Sequence, residues 1–331
     1  MVVMIPVANA HLLGIRPIVS AEDAQKALET LGDEIEAKGV VQDLGVIVIV
    51  DDAAYELYSF SKSIADKYAA VVNYTAEALD GRANVYDMIV PTSVDITMPD
   101  SERAKVDSSS QADAIRYIFS CMSAQVHSVN VYNTLRSHRT EYIYFRTDHH
   151  WTSLGAYYAF AASASRLGED VLAPSFTLLP VTDEFEGTLA SQSGVHRTKD
   201  TISVYLPQDT GISYYVNYPD AQTRVTSLFV SSALEEKDKY TVFFGGNHPL
   251  VEVFTTVNNG RSLLVLKDSY ANSFIQFLTT YYDKIILIDP RYYYDDLSTA
   301  LTTYGITDVL FLYSGDYWMT DSTLTDVLAT G

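Results

Sequence analysis

Cysteine occurs once in the 331 residues, at Cys121. A single thiol excludes an internal disulfide framework and a zinc site built on several thiolates. Basic residues are scarce as well: Lys and Arg number 22 against 42 Asp and Glu, for a net charge of −20. No run of Lys or Arg occurs, and so acidic a chain repels phosphate backbones, which argues against a nucleic-acid partner. No stretch reaches the ~20 consecutive apolar residues of a membrane-spanning helix. Internal repeats and low-complexity segments are missing too. What is present is a core-former, 47% hydrophobic and 19% charged. The length suits two domains of roughly 150 residues or one large α/β domain.

The opening Met1 to Ala10 is apolar but short. It ends in Ala8-Asn9-Ala10, the small-residue pattern of a signal-peptidase site, with no basic residue ahead of it. It reads either as the remnant of an export signal or as an ordinary N-terminal strand.

Six short apolar runs stand out: Val46 to Val50, Val85 to Val90, Val129 to Tyr132, Leu263 to Leu266, Ile285 to Ile288 and Val309 to Tyr313. Such runs read as strands of a parallel sheet, buried on both faces. Between them lie helical spacings. Ala54, Leu57, Ser61, Ile64, Ala65 and Tyr68 step by threes and fours after Asp51-Asp52, which can cap a first turn. Further helices are expected from Ser20, over Gln111 to Met122, over Ala156 to Leu167 and over Ala271 to Tyr282. Strand and helix in alternation predict a three-layer α/β/α sandwich with a mostly parallel sheet. The segment 169–259 breaks the alternation with Gly, Pro and β-favouring stretches such as Thr201 to Leu206 and Tyr240 to Phe244. It reads as a β-rich insertion. The expected organisation is thus an N-terminal segment and helix at 1–44, the two halves of one α/β domain at 45–168 and 260–331, and the insertion between them.

Two clusters carry chemistry. In Arg146-Thr147-Asp148-His149-His150-Trp151-Thr152, Asp148 and His150 are two apart, which on an extended backbone puts both on one side. A carboxylate orienting an imidazole is what a hydrolytic triad needs. The second is Lys267-Asp268-Ser269-Tyr270-Ala271-Asn272-Ser273, where Ser269 follows a strand, the position at which open α/β sheets form their sites. Backbone N–H groups of Tyr270 and Ala271 are candidates to hold an oxyanion. The plainer alternatives are that Ser269 caps a helix and that Asp148–His150 is a structural bond or, with His149, a metal site. The remaining histidines add no ligand spacing for a metal, so no metal and no other cofactor is expected.

The segment Tyr144 to Ala156 resembles the signature of the bacterial DHHW family, named for the tetrapeptide that stands here as Asp148-His149-His150-Trp151. Leu264 to Ser273 resembles that family's second signature, with smaller echoes at Phe185-Glu186-Gly187-Thr188-Leu189 and Phe244 to Pro249. The family is similar to SGNH-hydrolase-like proteins that O-acetylate exopolysaccharides such as alginate. The resemblance implies an SGNH-hydrolase-like α/β fold with Ser269 as nucleophile, His150 as base and Asp148 as orienting acid. Lys267-Asp268 in front of the serine departs from the acetyltransferase pattern.

The expected function is therefore that of a serine-dependent carbohydrate esterase or O-acetyltransferase, acting on a cell-envelope or secreted glycan or a small acyl ester. Tyr270, Asn247 and Arg146 are the candidate substrate contacts. Asn247 is alternatively a turn residue, and Arg146 either binds an anionic sugar or pairs with a carboxylate. The rival is a catalytically inactive module that binds glycan or a partner protein of an envelope assembly. Both place the protein outside the cytoplasm, exported or membrane-associated.

Overall fold

The computed structural model describes residues 41–164, 166–167, 176–208, 211–295 and 297–316. Residues 1–10 and the helix expected from Ser20 lie outside these.

The chain opens with a small antiparallel sheet, β1 (Val41–Asp43), β2 (Ile47–Val50) and β3 (Ala53–Glu56). The apolar run at Val46–Val50 thus belongs to this sheet and not to the parallel one. Asp51 explains why no helix begins here. It adopts φ 56°, a left-handed conformation that Asp tolerates, and Asp51-Asp52 fold the chain into a hairpin that pairs Val50 with Ala53. The helix starts later, as α1 (Lys62–Leu79). Its inward stripe of Ala65, Tyr68, Ala69, Val72, Ala76 and Leu79 is buried at helical spacing. Asp80 in the left-handed region ends it.

Next come β4 (Asn84–Val90), α2 (Gln111–Cys121), β5 (Val126–Ser128), the short α3 (Tyr132–Ser137) and α4 (Ser153–Ser163). The strand expected at Val129–Tyr132 therefore lies three residues earlier, and Tyr132 begins a helix. β6 (Phe176–Phe185) and β7 (Asp200–Pro207) form an antiparallel pair, with α5 (Thr188–Ser193) in their connection. Three further strands follow, β8 (Tyr214–Tyr218), β9 (Thr223–Val225) and β10 (Leu250–Thr255). The chain then alternates through β11 (Ser262–Lys267), β12 (Lys284–Ile288), α6 (Leu297–Tyr304) and β13 (Asp308–Ser314).

The main sheet has the order β5-β4-β13-β11-β12-β10-β8-β9. Its first five strands are parallel, and β10, β8 and β9 extend it antiparallel. Alternate side chains of the central strands enter opposite cores. Leu264, Leu266, Ile286, Val309 and Phe311 pack with α1, α2 and α6. Leu263, Val265, Ile285, Leu310 and Leu312 pack with α4 and the β6–β7 pair. The molecule is an α/β/α sandwich, and of its β-rich segment β8, β9 and β10 extend the main sheet while β6 and β7 form a separate pair. Fully burying an aliphatic side chain of this kind contributes about 1.5–3 kcal/mol, so a charged residue at Val265 or Leu310 would collapse the layer. Among the described residues no helix is long and apolar enough to cross a membrane.

Two further expectations fail locally. Ala271–Tyr282 is not one helix but the 3-10 turns Ser269–Ser273 and Ile275–Phe277. Its polar side chains compete for the backbone: Ser273 Oγ donates to Tyr270 O, Thr279 Oγ1 to Gln276 O, and Gln276 Nε2 to Ser273 O. Tyr240–Phe244 likewise holds a 3-10 turn, Lys239–Val242, with a lone bridge from Phe243 to Phe229 in place of a strand.

Candidate active site

Because β4, β11, β12 and β13 run parallel, they end along one edge, and the residues there wall a cleft of about 230 Å³. Thr92 and Ser93 come from beyond β4, Ser269 from beyond β11, Arg291 from beyond β12 and Asp316 from beyond β13. His149, Leu189, Gln192, Glu56, Leu57 and Tyr58 complete the lining.

Asp268, and not Ser269, caps the turn after β11. Its Oδ1 accepts from Tyr270 N at 2.9 Å and its Oδ2 from Ser314 N at 2.8 Å. Burial pushes this carboxyl up, and those N–H groups pull against it. Ser269 is thereby released from capping, and its hydroxyl lies 2.7 Å from Nε2 of His150.

The other half of the constellation sits on a closed loop. Tyr144 and Trp151 form an antiparallel bridge, and Phe145 N donates to His150 O. Within it, Asp148 Oδ1 accepts from His150 N at 3.0 Å and lies 2.6 Å from His150 Nδ1. A side-chain turn therefore brings the pair together, where strand alternation was expected to do so. Asp148 Oδ2 accepts from Thr188 N at 2.8 Å and Thr188 Oγ1 at 3.0 Å. Burial alone would raise the Asp148 carboxyl. The imidazoles of His149 and His150 and the donated hydrogen bonds outweigh it and hold the group far below the usual carboxylate range. Asp148 and His150 are 2% and 5% exposed, so the carboxylate is anchored and the ring cannot swing.

Two contacts fasten this loop to the serine turn. Trp151 Nε1 donates to Tyr270 O at 2.9 Å, and Tyr270 Oη donates to His149 O. Asp200 of β7 fixes the loop from behind, accepting from Arg146 N at 3.0 Å and from Thr147 N at 2.7 Å.

The three atoms thus form one chain, carboxylate to imidazole to hydroxyl. Asp148 sets the tautomer with hydrogen on Nδ1, so Nε2 accepts from the Ser269 hydroxyl. Asp148, His149 and His150 also offer ligand atoms within 4.8 Å of one another. A metal ion would compete with bonds already made, since His150 uses both ring nitrogens and His149 Nδ1 lies 2.6 Å from Thr188 Oγ1.

A family model described as DHHW protein matches residues 17–288. The chain belongs to the DHHW family. A DHHW protein of solved structure from Eubacterium siraeum is 26% identical, with a TM-score of 0.75 over 88% of this chain and 97% of that one. The structure of Bacillus cereus PatB1 with a sulfonyl adduct is 17% identical, with a TM-score of 0.70 over 86% of this chain and 99% of that one. A looser likeness, 13% identical with a TM-score of 0.48 over 88% and 99%, is to the O-acetyltransferase domain of Pseudomonas putida AlgJ. No curated protein matches.

In this DHHW protein the remaining expected residues scatter. Tyr270 lines the cleft. Its N–H, expected to hold an oxyanion, is taken by Asp268, and Ala271 N–H donates to Asp268 O at 3.3 Å, so neither points free into the site. Arg146 lies in a separate groove, 3.6 Å from Asp52 and over the Tyr142 ring, and does not reach the cleft. Asn247 is exposed and does not line the cleft either; its Oδ1 accepts from Lys267 Nζ at 3.3 Å and from Asn272 Nδ2 at 3.1 Å.

Other residues escaped the reading of the sequence. Tyr240 stacks on His150 with ring centroids 3.8 Å apart, and its hydroxyl donates to Ser269 O at 3.0 Å. Nothing in its neighbourhood in the chain marks it among 25 tyrosines. Gly187 and Thr188 press on Asp148, and a Cβ at position 187 would fall 2.2 Å from the Asp148 Cβ. The small family echo at Phe185–Leu189 was their signal.

Proposed function

We propose that this protein transfers acyl groups through Ser269, as an esterase or O-acetyltransferase of a carbohydrate. The observation that carries the proposal is the hydrogen-bond chain from Asp148 through His150 to Ser269, which lines the cleft. Ser269 Oγ attacks the acyl carbonyl carbon of the donor as His150 Nε2 takes its proton. The tetrahedral intermediate collapses to acyl-Ser269 and returns the proton to the departing alcohol. An acceptor hydroxyl, or water, then gives its proton to His150, attacks the acyl-serine and leaves as the new ester or acid, restoring the Ser269 hydroxyl. Asp148 keeps the imidazole oriented and stabilises its cationic form. With Tyr270 N–H occupied, the N–H of Ser269 itself is the proposed backbone donor to the oxyanion.

The motif's likeness to proteins that O-acetylate exopolysaccharides supports a glycan as acceptor and a site of action outside the cytoplasm, where an envelope assembly would supply the acyl donor. The contact of the three groups supports catalysis over the inactive-module alternative, for which no such hydrogen-bond chain is expected. Incubation with an aryl acetate, followed by mass analysis of the digested protein, tests the reading: one acetyl group on the peptide carrying Ser269 is the expected result. Acetylation elsewhere, or none, would overturn it.

A further inference from the structure

The two imidazoles of the motif are tied to one carboxylate in different ways. His150 Nδ1 lies 2.6 Å from Asp148 Oδ1, whereas His149 Nδ1 lies 2.6 Å from Thr188 Oγ1, which bonds in turn to Asp148 Oδ2. Acyl transfer uses His150 and leaves His149 without a role. We propose that His149 Nε2 accepts a hydrogen bond from the acceptor sugar, from a free hydroxyl beside the one that is acylated. The inference rests on the acyl-transfer reading and adds a specificity-determining residue and the class of the acceptor, a vicinal diol.

The bonds around Thr188 fix the proton positions. Asp148 Oδ2 accepts from Thr188 N at 2.8 Å and lies 3.0 Å from Thr188 Oγ1. An ionised carboxylate only accepts, so the single hydroxyl proton of Thr188 points to Asp148. The Thr188 oxygen then offers a lone pair to His149, and the hydrogen of that bond comes from Nδ1. A Thr188 hydroxyl donating to His149 instead would set two acceptor oxygens against each other at 3.0 Å. His149 is therefore the Nδ1–H tautomer, and its Nε2 carries a bare lone pair. Burial, and then the neighbouring His150 ring, lower the proton affinity of His149 and favour this neutral form.

Nε2 also stands where a ligand reaches it. His149 lines the cleft with Ser269, and its side chain is 34% exposed. Among the described residues no group hydrogen-bonds to Nε2, and the atom is not sealed in the interior. The His149 and His150 rings lie with centroids 3.9 Å apart, and His150 Nε2 is 2.7 Å from Ser269 Oγ. Hydrogen bonds of about 2.8 Å from two such neighbouring rings meet adjacent oxygens of one sugar, the first entering the acyl transfer and the second resting on His149.

A bare lone pair discriminates between acceptors. It gains from an O–H donor, whereas a methylated or already acylated neighbour leaves it desolvated, unpaired and facing an oxygen lone pair. The contact thus selects a free diol and disfavours a second acyl group beside the first. Nε2 has no proton to give an oxyanion, so His149 takes no part in holding the tetrahedral intermediate.

Competition for the acetyl group of acetyl-Ser269 tests this. The protein turns over an aryl acetate in the presence of ethane-1,2-diol or of 2-methoxyethanol, which differ in whether the second oxygen carries a proton. The ratio of transfer to hydrolysis is read for each alcohol. Both routes use Ser269, His150 and Asp148, so damage to the triad cancels in the ratio. Expected is a ratio about tenfold higher for the diol. His149→Phe keeps a ring against His150 and should make the two alcohols equal, while His149→Gln returns an acceptor oxygen and should keep part of the preference. Equal ratios in the parent protein, a preference that survives in His149→Phe, or acetyl-Ser269 that transfers to neither alcohol overturns the inference and leaves acyl transfer to water standing. A protein that forms no acetyl-Ser269 overturns both. Nitrogen NMR of the histidine-labelled protein reads the tautomer without turnover: Nε2 of His149 unprotonated is expected, and a proton there overturns the inference by itself.

Discussion

Tyr240 lies flat against His150, with ring centroids 3.8 Å apart and planes 12° apart, while its hydroxyl donates to the carbonyl of Ser269. One side chain from the β-rich insertion thus touches both partners of the hydrogen bond at the centre of the site. A face-on tyrosine also favours the imidazolium that forms when His150 takes a proton. Tyr240→Leu removes ring and hydroxyl together, and kcat for aryl acetate hydrolysis should fall about tenfold or more with little change in KM. Tyr240→Phe keeps the ring and should retain most of the rate. Equal losses in the two variants would assign the effect to the hydroxyl instead.

Gly187 owes its identity to Asp148. Its φ of −91° is open to any residue, so the constraint is space: a Cβ there would meet Asp148 Oδ2 at 2.3 Å and Cγ at 2.6 Å. Gly187→Ala must displace the carboxylate from His150 or shift α5. A misplacement near 1 Å in a catalytic group costs about 10²-fold in rate. We expect that loss in kcat with a folded protein, checked by circular dichroism. Full activity in Gly187→Ala would show that Asp148 has no orienting role.

Asp87 makes a prediction about stability alone. It is fully buried in β4, Tyr68 Oη donates to it at 2.5 Å, and its second oxygen has no partner. Burial pushes its carboxyl from the ordinary 3.8 up to about 7, although the tyrosine pulls the other way. Between those values the folded chain keeps a proton that the unfolded chain has released. Stability therefore falls as pH rises through that window, by about 4 kcal/mol in all. Asp87→Asn abolishes the dependence while keeping an acceptor for Tyr68. Its advantage over the parent in urea melts should be small near pH 4 and grow towards pH 7. An advantage constant with pH would show that Asp87 does not hold its proton.

How far the sequence reached can be judged residue by residue. The central strands were legible because burial on both faces demands uninterrupted apolar runs, as at Leu263–Leu266 and Val309–Tyr313. The helix over Ala54–Tyr68 was misread because a 3.6-residue pattern does not sense backbone sign, and Asp51 turned left-handed. The meeting of Ser269 with His150 was legible only through motif likeness, since 119 residues separate them. Tyr240 was not legible at all as a site residue, because it acts through a contact made by tertiary folding with no local pattern to announce it, and Gly187 was legible only through the family echo at Phe185–Leu189. Arg146 shows the reverse error: nearness in sequence to Asp148 placed it at the site, and the loop turns it into another groove.

The proposed nucleophile is tested most directly by a fluorophosphonate, which reacts with a serine hydroxyl only when a base has activated it. The labelled protein is digested and the modified residue identified, in parallel with Ser269→Ala and His150→Ala. Stoichiometric label on Ser269 in the parent protein, absent from Ser269→Ala and reduced by about 10³-fold or more in rate in His150→Ala, is the predicted result. A parent protein that stays unlabelled, or one labelled as fast without His150, would contradict serine catalysis at this site.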